Sequence, residues 1–199
     1  FEKKEFRKGR PEDYISLSTN TNYIKLDDTH KDIVKEIQEF FKQIYPQPEL
    51  CKYMWEHLAS CMTGWNKMQT CQMYIGDGQN GKSALIQLMG LVLGQYKYEV
   101  TPAIITNERV KPGGTCPEIV SMKGKRMVCI QETKKTDTLN EAMFKQLTSG
   151  NDPVTARGLY KEEQISFMAQ FKLVIASNYL MNIEATDHGT WRRVRVAPH

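Results

Sequence analysis

The sequence has no C-x-x-C pair, no zinc-type grouping of its four histidines, and no apolar run near the ~18 residues of a membrane span. Its five cysteines, Cys51, Cys61, Cys71, Cys116 and Cys129, are odd in number and scattered. Neither a disulfide framework nor a structural metal site is expected, and the chain reads as a protein of a reducing, intracellular setting. No signal peptide is read at the start, and no membrane partner is expected. A strong excess of one charge is missing too. Lys and Arg number 27 against 23 Asp and Glu, and the net +4 with a pI near 8.7 is compatible with nucleic acid without demanding it. A starting methionine is also lacking. The chain runs from Phe1 to His199, just after an alternating apolar stretch, and both ends read as cuts within a longer protein.

What is present is enough for one sizeable core, or a core with a small appended subdomain: 199 residues, 40% of them hydrophobic. The stretch that organises the rest is GDGQNGKS, Gly76 to Ser83. It follows a strand-like run, Gln72 to Ile75. It opens a helix-like segment in which Leu85, Ile86, Leu88, Met89, Val92 and Leu93 fall at helical spacings. The pattern G-x-x-x-x-G-K-[ST] in strand–loop–helix context is a phosphate-binding loop. Its glycines let the backbone turn so that N–H groups point inward, and the helix presents its positive end to the same point. The cradle comprises Gly76, Asp77, Gly78, Gln79, Asn80, Gly81, Lys82, Ser83 and Ala84. Lys82 would reach the β- and γ-phosphates, and Ser83 would ligate Mg²⁺. Gly76, Gly78 and Gly81 also spell the dinucleotide fingerprint G-x-G-x-x-G, with Glu99 a loose match for its acidic residue. That fingerprint does not require the Lys-Ser pair, so the triphosphate reading is favoured.

Before the loop, residues 1–27 read as a polar connector whose Lys3, Lys4, Arg7, Lys8 and Arg10 are interleaved with Glu2 and Glu5. A helix starts near Thr29, with Ile33, Val34, Ile37, Phe40, Phe41 and Ile44 as its stripe, and Pro46 stops it. A second runs from about Pro48 to Met62, with Leu50, Tyr53, Met54, Leu58 and Met62 inward and Gly64 as its stop. Residues 1–68 thus read as a connector and small helical subdomain, and 69–199 as the catalytic core.

After the loop helix, Lys97 to Thr101 reads as a strand. Residues 102–116 read as irregular, with Arg109 and Lys111 on a loop that either faces nucleic acid or is simply solvated. Met127 to Ile130 is a continuous apolar run, as in a buried parallel strand, and it ends near Glu132. An acid there could hold Mg²⁺ or polarise the attacking water. Thr138 and Glu141 predict a capping box for a helix bearing Leu139, Met143 and Leu147. The alternating runs VTARGLY (154–160) and QISFMAQF (164–171) predict a β-hairpin, from about Asp152 to Phe171, around the polar tip Lys161 to Glu163. Lys172 to Asn178 is another buried-strand run ending in a polar side chain, and Arg192, Arg193 and Arg195 follow.

Taken in order, GDGQNGKS, VCIQE, the hairpin segment FKQLTSGNDPVTARGLYKE, VIASN and GTWRRVRV resemble the superfamily 3 helicases. They are most similar to primase-helicases of large DNA viruses and of some phages and plasmids. The resemblance covers about residues 70–197, and RPEDYISLSTNTNY looks like the region preceding the core in poxvirus- and asfarvirus-like members. It implies an α/β AAA+ P-loop fold with a parallel central sheet flanked by helices. It also implies a hexameric ring with ATP and Mg²⁺ between subunits, translocating 3′ to 5′ on single-stranded DNA among replication proteins, at a viral replication site in the host cytoplasm. By resemblance, Glu132 is the second motif's acid, Asn178 the γ-phosphate sensor, and Arg157 and Lys161 backbone contacts to DNA. Arg192 or Arg193 matches an arginine finger donated to the neighbour, Arg193 being preferred because it directly precedes an apolar residue. One departure stands out: Gln131 occupies the place where many P-loop enzymes carry a first acid. On the residues alone, Lys161 also fits a solvated turn, Asn178 a turn cap, and the arginines a structural ion pair. A P-loop kinase of a small molecule and a non-motor AAA+ scaffold share the loop and remain the competing functions.

Overall fold

The computed structural model describes residues 7–106 and 115–199. Lys3, Lys4, Glu2 and Glu5, and the loop pair Arg109 and Lys111, lie outside the described residues. Two helices, α1 (Lys31–Ile44) and α2 (Pro48–Ser60), lead into β1 (Cys71–Ile75), α3 (Lys82–Leu93) and β2 (Lys97–Val100). Short helices α4 (Ala103–Thr106) and α5 (Pro117–Ser121) precede β3 (Met127–Gln131) and α6 (Glu141–Ser149). A hairpin of β4 (Pro153–Arg157) and β5 (Gln164–Met168) follows, then β6 (Lys172–Ser177), α7 (His188–Trp191) and β7 (Val194–Pro198).

The five long-range strands pair in parallel in the order β2-β3-β6-β1-β7. The apolar runs are continuous because both faces of the sheet are covered. Successive residues feed opposite faces: Cys71, Met73, Val128, Ile130, Leu173 and Ile175 enter one cluster. Tyr74, Met127, Cys129, Val174 and Ala176 enter the other. The first face is covered by α4, α5, α6 and the hairpin, through Ile105, Ile119, Phe144, Leu147 and Val154. The second is covered by α1, α2 and α3, through Phe41, Met54, Leu58, Leu85, Ile86 and Met89. Burying each such side chain contributes roughly 2 kcal/mol, so the three helices and the sheet hold one another.

Three local expectations are corrected. First, α2 ends at Ser60, and Tyr53 and Met62, expected inward, are exposed. With Ile33 and Ile37 of α1 they belong to apolar surface that the sheet leaves uncovered; Ile37 and Met62 line an open groove of about 470 Å³ between α1, α2 and α3. Second, α6 is capped by Asn140, whose Oδ1 accepts from the Met143 N–H at 3.1 Å, and not by a Thr138–Glu141 box. Thr138 instead bridges to Asn182. Third, part of the stretch read as irregular is the short helix α4.

The connector is partly ordered. The Leu17 carbonyl accepts from the Tyr96 hydroxyl, and the Ser18 backbone N–H donates to the Gln95 amide oxygen at 2.8 Å.

Candidate functional site

The loop between β1 and α3 is built as its sequence requires. Gly81 has φ +88°, and a Cβ there would meet the Ile44 Cδ1 at 2.8 Å. A Cβ on Gly76 would meet the His199 carbonyl oxygen at 2.1 Å. Gly78 has open space around it. The two glycines demanded by the backbone are therefore those of the phosphate-loop pattern, and the middle glycine of the dinucleotide fingerprint carries no such demand.

Lys82, the first residue of α3, is buried, and its Nζ donates three hydrogen bonds: to the Gly76 carbonyl at 2.6 Å, the Asp77 carbonyl at 3.0 Å and the Asn80 Oδ1 at 2.8 Å. Burial lowers its pKa, and the nearby Asp77 opposes that. The ammonium thus points into the loop's own mouth, where the groups it bonds are neutral oxygens. Ser83 and Ala84 are exposed beside it.

At the carboxyl ends of the neighbouring strands the chain supplies the remaining parts. Gln131 ends β3, Glu132 follows with φ +62°, and Thr133 is buried. A non-glycine residue in that region stores of order 1–3 kcal/mol, which is commonest where a side chain must be aimed. The Glu132 N–H is held by the Ala176 carbonyl at 3.1 Å. β6 ends at Ser177, whose hydroxyl donates to the Thr133 carbonyl at 3.0 Å, and Asn178 and Tyr179 follow. Lys82, Ser83, Gln131, Glu132, Thr133, Ser177, Asn178 and Tyr179 line one cavity of about 360 Å³. It lies off the carboxyl ends of parallel strands, where open α/β sheets bind ligands.

A triphosphate with Mg²⁺ fits this cavity on its own chemistry. The Thr133 hydroxyl and the Asn80 Nδ2 are buried and lack a hydrogen-bond partner among the described residues. No cluster of three or more His, Cys, Asp or Glu among the described residues could hold a metal alone. That suits Mg²⁺, which takes few protein oxygens and completes its shell with water and phosphate. Ser83 and Glu132 are the residues that would hold it; bound there, it would neutralise phosphate charge.

The other expected residues lie elsewhere. Arg192 and Arg193 sit at the amino ends of the strands: the Cys71 N–H donates to the Arg193 carbonyl at 2.8 Å, at the start of β1. The phosphate loop starts at the far end of that strand, about 16 Å away at ~3.3 Å per residue. Arg193, the preferred finger, is 8% exposed and bonds the Gly189 carbonyl of its own chain. Burial, then the charge of Arg192, lowers its pKa. Arg192 is exposed and donates to the Gln69 amide oxygen. In the hairpin, Arg157 is half-buried and its carbonyl accepts from the Cys116 N–H, while Lys161 is exposed at the tip. Beside Lys161 stands Tyr160, fully exposed with φ +55°. The sequence reading passed over Thr133, Tyr160 and Tyr179. Adjacency to Glu132, Lys161 and Asn178 was the available signal.

A parallel sheet carrying G-x-x-x-x-G-K-S between β1 and α3 defines an α/β P-loop nucleotide-binding fold. No family model matches the chain. It is 37% identical over 193 residues to "Putative helicase L207/L206" of Acanthamoeba polyphaga mimivirus, covering 97% of this chain and 20% of that protein. It is 34% identical over 151 residues to "Putative primase C962R" of African swine fever virus, covering 74% of this chain and 16% of that protein. Among solved structures, the apo NrS-1 C-terminal region matches with TM-score 0.62 at 14% identity, over 90% of this chain and 39% of that one. The JCV helicase matches with TM-score 0.53 at 12% identity, over 81% and 43%. At such identities the two structures show the fold alone. The chain belongs to the viral primase-helicases of superfamily 3 type that its motifs resemble. It spans about a fifth of the length of the curated relatives it matches. No helix among the described residues is long and apolar enough to cross a membrane.

Proposed function

We propose that this segment is the ATP-hydrolysing core of a DNA helicase of viral replication, acting as a hexameric ring around single-stranded DNA. The observation that carries the reading is the single cavity joining Lys82, Ser83, Glu132 and Asn178. Lys82 and the loop N–H groups bind the phosphates. Ser83 and Glu132 would hold Mg²⁺, which would neutralise phosphate charge; Glu132 would orient the attacking water, and Asn178 would contact the γ-phosphate. The arginines at the amino ends of the strands are too far from their own cavity, which supports a site completed by a neighbouring subunit. Of the two, Arg192 is the exposed one and takes the role of finger; Arg193 supports the turn from inside. Arg157 and Lys161 of the hairpin serve the DNA backbone, with single-stranded DNA in the pore. Other replication proteins would join the whole protein at a site of viral replication in the host cytoplasm.

The test mixes two inactive variants of the full-length protein, Lys82→Ala and Arg192→Ala. In a shared site, a subunit with intact Lys82 meets a neighbour with intact Arg192, so DNA-stimulated ATPase activity partly returns in mixed assemblies. No recovery at any ratio, with assembly intact by light scattering, counts against the shared site.

A further inference from the structure

The cavity contains an amide where an acid was expected, and the fold explains how the amide is aimed. β2 and β3 pair with Glu99 opposite Cys129, so Glu99 and Gln131 lie diagonally on one face. That face is the one covered by α3, because Cys129 packs in the same cluster as Leu85, Ile86 and Met89. The Gln131 Nε2 donates to the Glu99 carboxylate at 3.2 Å. Glu99 is itself gripped by the Lys97 ammonium, whose side chain is only 13% exposed. An amide's oxygen and nitrogen are ordinarily hard to tell apart, but an ionised carboxylate only accepts, so the end facing Glu99 is the NH₂. With its NH₂ held by Glu99, Gln131 lines the cavity together with Ser83 and Glu132.

We infer that Glu99 is a positioning residue that turns the Gln131 amide oxygen toward a water of the nucleotide-bound Mg²⁺. A first acid would accept from such a water as an anion. Here a neutral acceptor does so, and the anion stands one residue further out on the next strand. Lys97, Glu99 and Gln131 form a relay that distributes over two strands what two adjacent acids would supply on one. The inference rests on the nucleotide reading of the cavity.

The experiment measures the affinity of N-methylanthraniloyl-ATP for the full-length protein by fluorescence anisotropy, with Mg²⁺ and with EDTA. In the wild type, Mg²⁺ tightens binding. In Glu99→Ala and in Gln131→Leu the affinity in EDTA stays within about twofold, and the Mg²⁺-dependent tightening falls about tenfold, the usual size for an outer partner of a metal site. The double variant is no worse than Gln131→Leu alone, because Glu99 acts through Gln131. Exchanging the pair as Glu99→Gln with Gln131→Glu restores the metal response, which a merely structural surface link would not do. If the single variants keep the wild-type ratio of the two affinities, the inference is overturned and the nucleotide site stands. If the wild type binds no nucleotide, or binds it with no response to Mg²⁺, the reading of the cavity fails and the inference with it.

Discussion

The two ends of the parallel sheet are built on opposite terms. At the carboxyl ends, polar groups line a cavity: the Thr133 hydroxyl and one Asn80 donor lack a partner among the described residues, and Glu132 holds a left-handed backbone. At the amino ends, the cationic side chains bond neutral oxygens of the chain, although the Asn66 Oδ1, the Gln72 Oε1 and the Arg193 Nε also lack a partner among the described residues. Lys172 bonds the Trp65 carbonyl, Arg192 bonds Gln69, Arg193 bonds Gly189, and the buried His57 meets the Tyr74 hydroxyl at 3.0 Å. Groups that line open space can meet something from outside, whereas groups bonded within the chain hold the fold together. On this contrast, substitutions at the first end should change chemistry and those at the second should change stability, with Arg192 as the exception because its guanidinium is exposed.

The exception offers the largest effect. Arg192→Ala should lower the ATPase rate of the assembled protein about 10³-fold, as loss of an arginine finger does, with the melting temperature unmoved. Arg193→Ala should instead cost about 1–3 kcal/mol of stability in urea titration, since it removes a buried donor and leaves the Gly189 carbonyl unpaired. If the two effects are exchanged, Arg193 is the finger and the exposure argument is wrong.

At the opposite end, Lys82→Ala should reduce hydrolysis about 10²–10³-fold, the scale of losing one preorganised donor to transition-state charge. Its unfolding midpoint should shift less than that of Arg193→Ala, because the loop oxygens it would leave are on a partly exposed loop where water can take its place.

A third test uses pH. Burial, helped by the charge of Lys172, holds the His57 pKa at about 4 against an ordinary 6.5. The folded state thus refuses a proton that the unfolded chain accepts. The associated stability is complete above pH 6.5 and is lost as pH falls toward 4, on the order of 3 kcal/mol in all. Urea midpoints at pH 7 and 4.5 should show the loss, and His57→Gln should reduce it by about half, since burial also lowers the His199 pKa to about 4. A variant as pH-sensitive as the wild type would move the effect to another group.

The smallest effect expected is from Gly81→Ala. The left-handed φ and the contact with Ile44 should cost about 1–2 kcal/mol, and Gly78→Ala should cost close to nothing. Equal costs would return the dinucleotide fingerprint to consideration.

The parts of this contrast that are local in sequence were legible there. The phosphate loop was, because its glycines and lysine act within eight residues, and so were the strands that lead to Glu132 and Asn178, because each buried run is continuous. What required neighbours was not. That Arg193 turns inward and Arg192 outward depends on the turn after Thr190, whose N–H is capped by Asp187 at 3.0 Å. The cap of α6 fell to Asn140 because two capping side chains stand within three residues and the bridge from Thr138 to Asn182 decides between them. Tyr53 and Met62 had the right period for a core, yet a stripe of apolar residues is wider than the sheet beneath it. Glu99 was noticed only for a fingerprint the loop does not use. Its partnership with Gln131 exists through strand register alone.

The three hydrogen bonds of Lys82 carry one more consequence. Its ammonium is held by the Gly76 and Asp77 carbonyls and the Asn80 amide oxygen, and a phosphate bound at this loop would compete with them for it. On the nucleotide reading proposed above, binding at this loop would be an exchange of partners for that ammonium. Asn80→Ala would remove one of these competitors, so on that reading the variant should hold nucleotide more tightly and release it later.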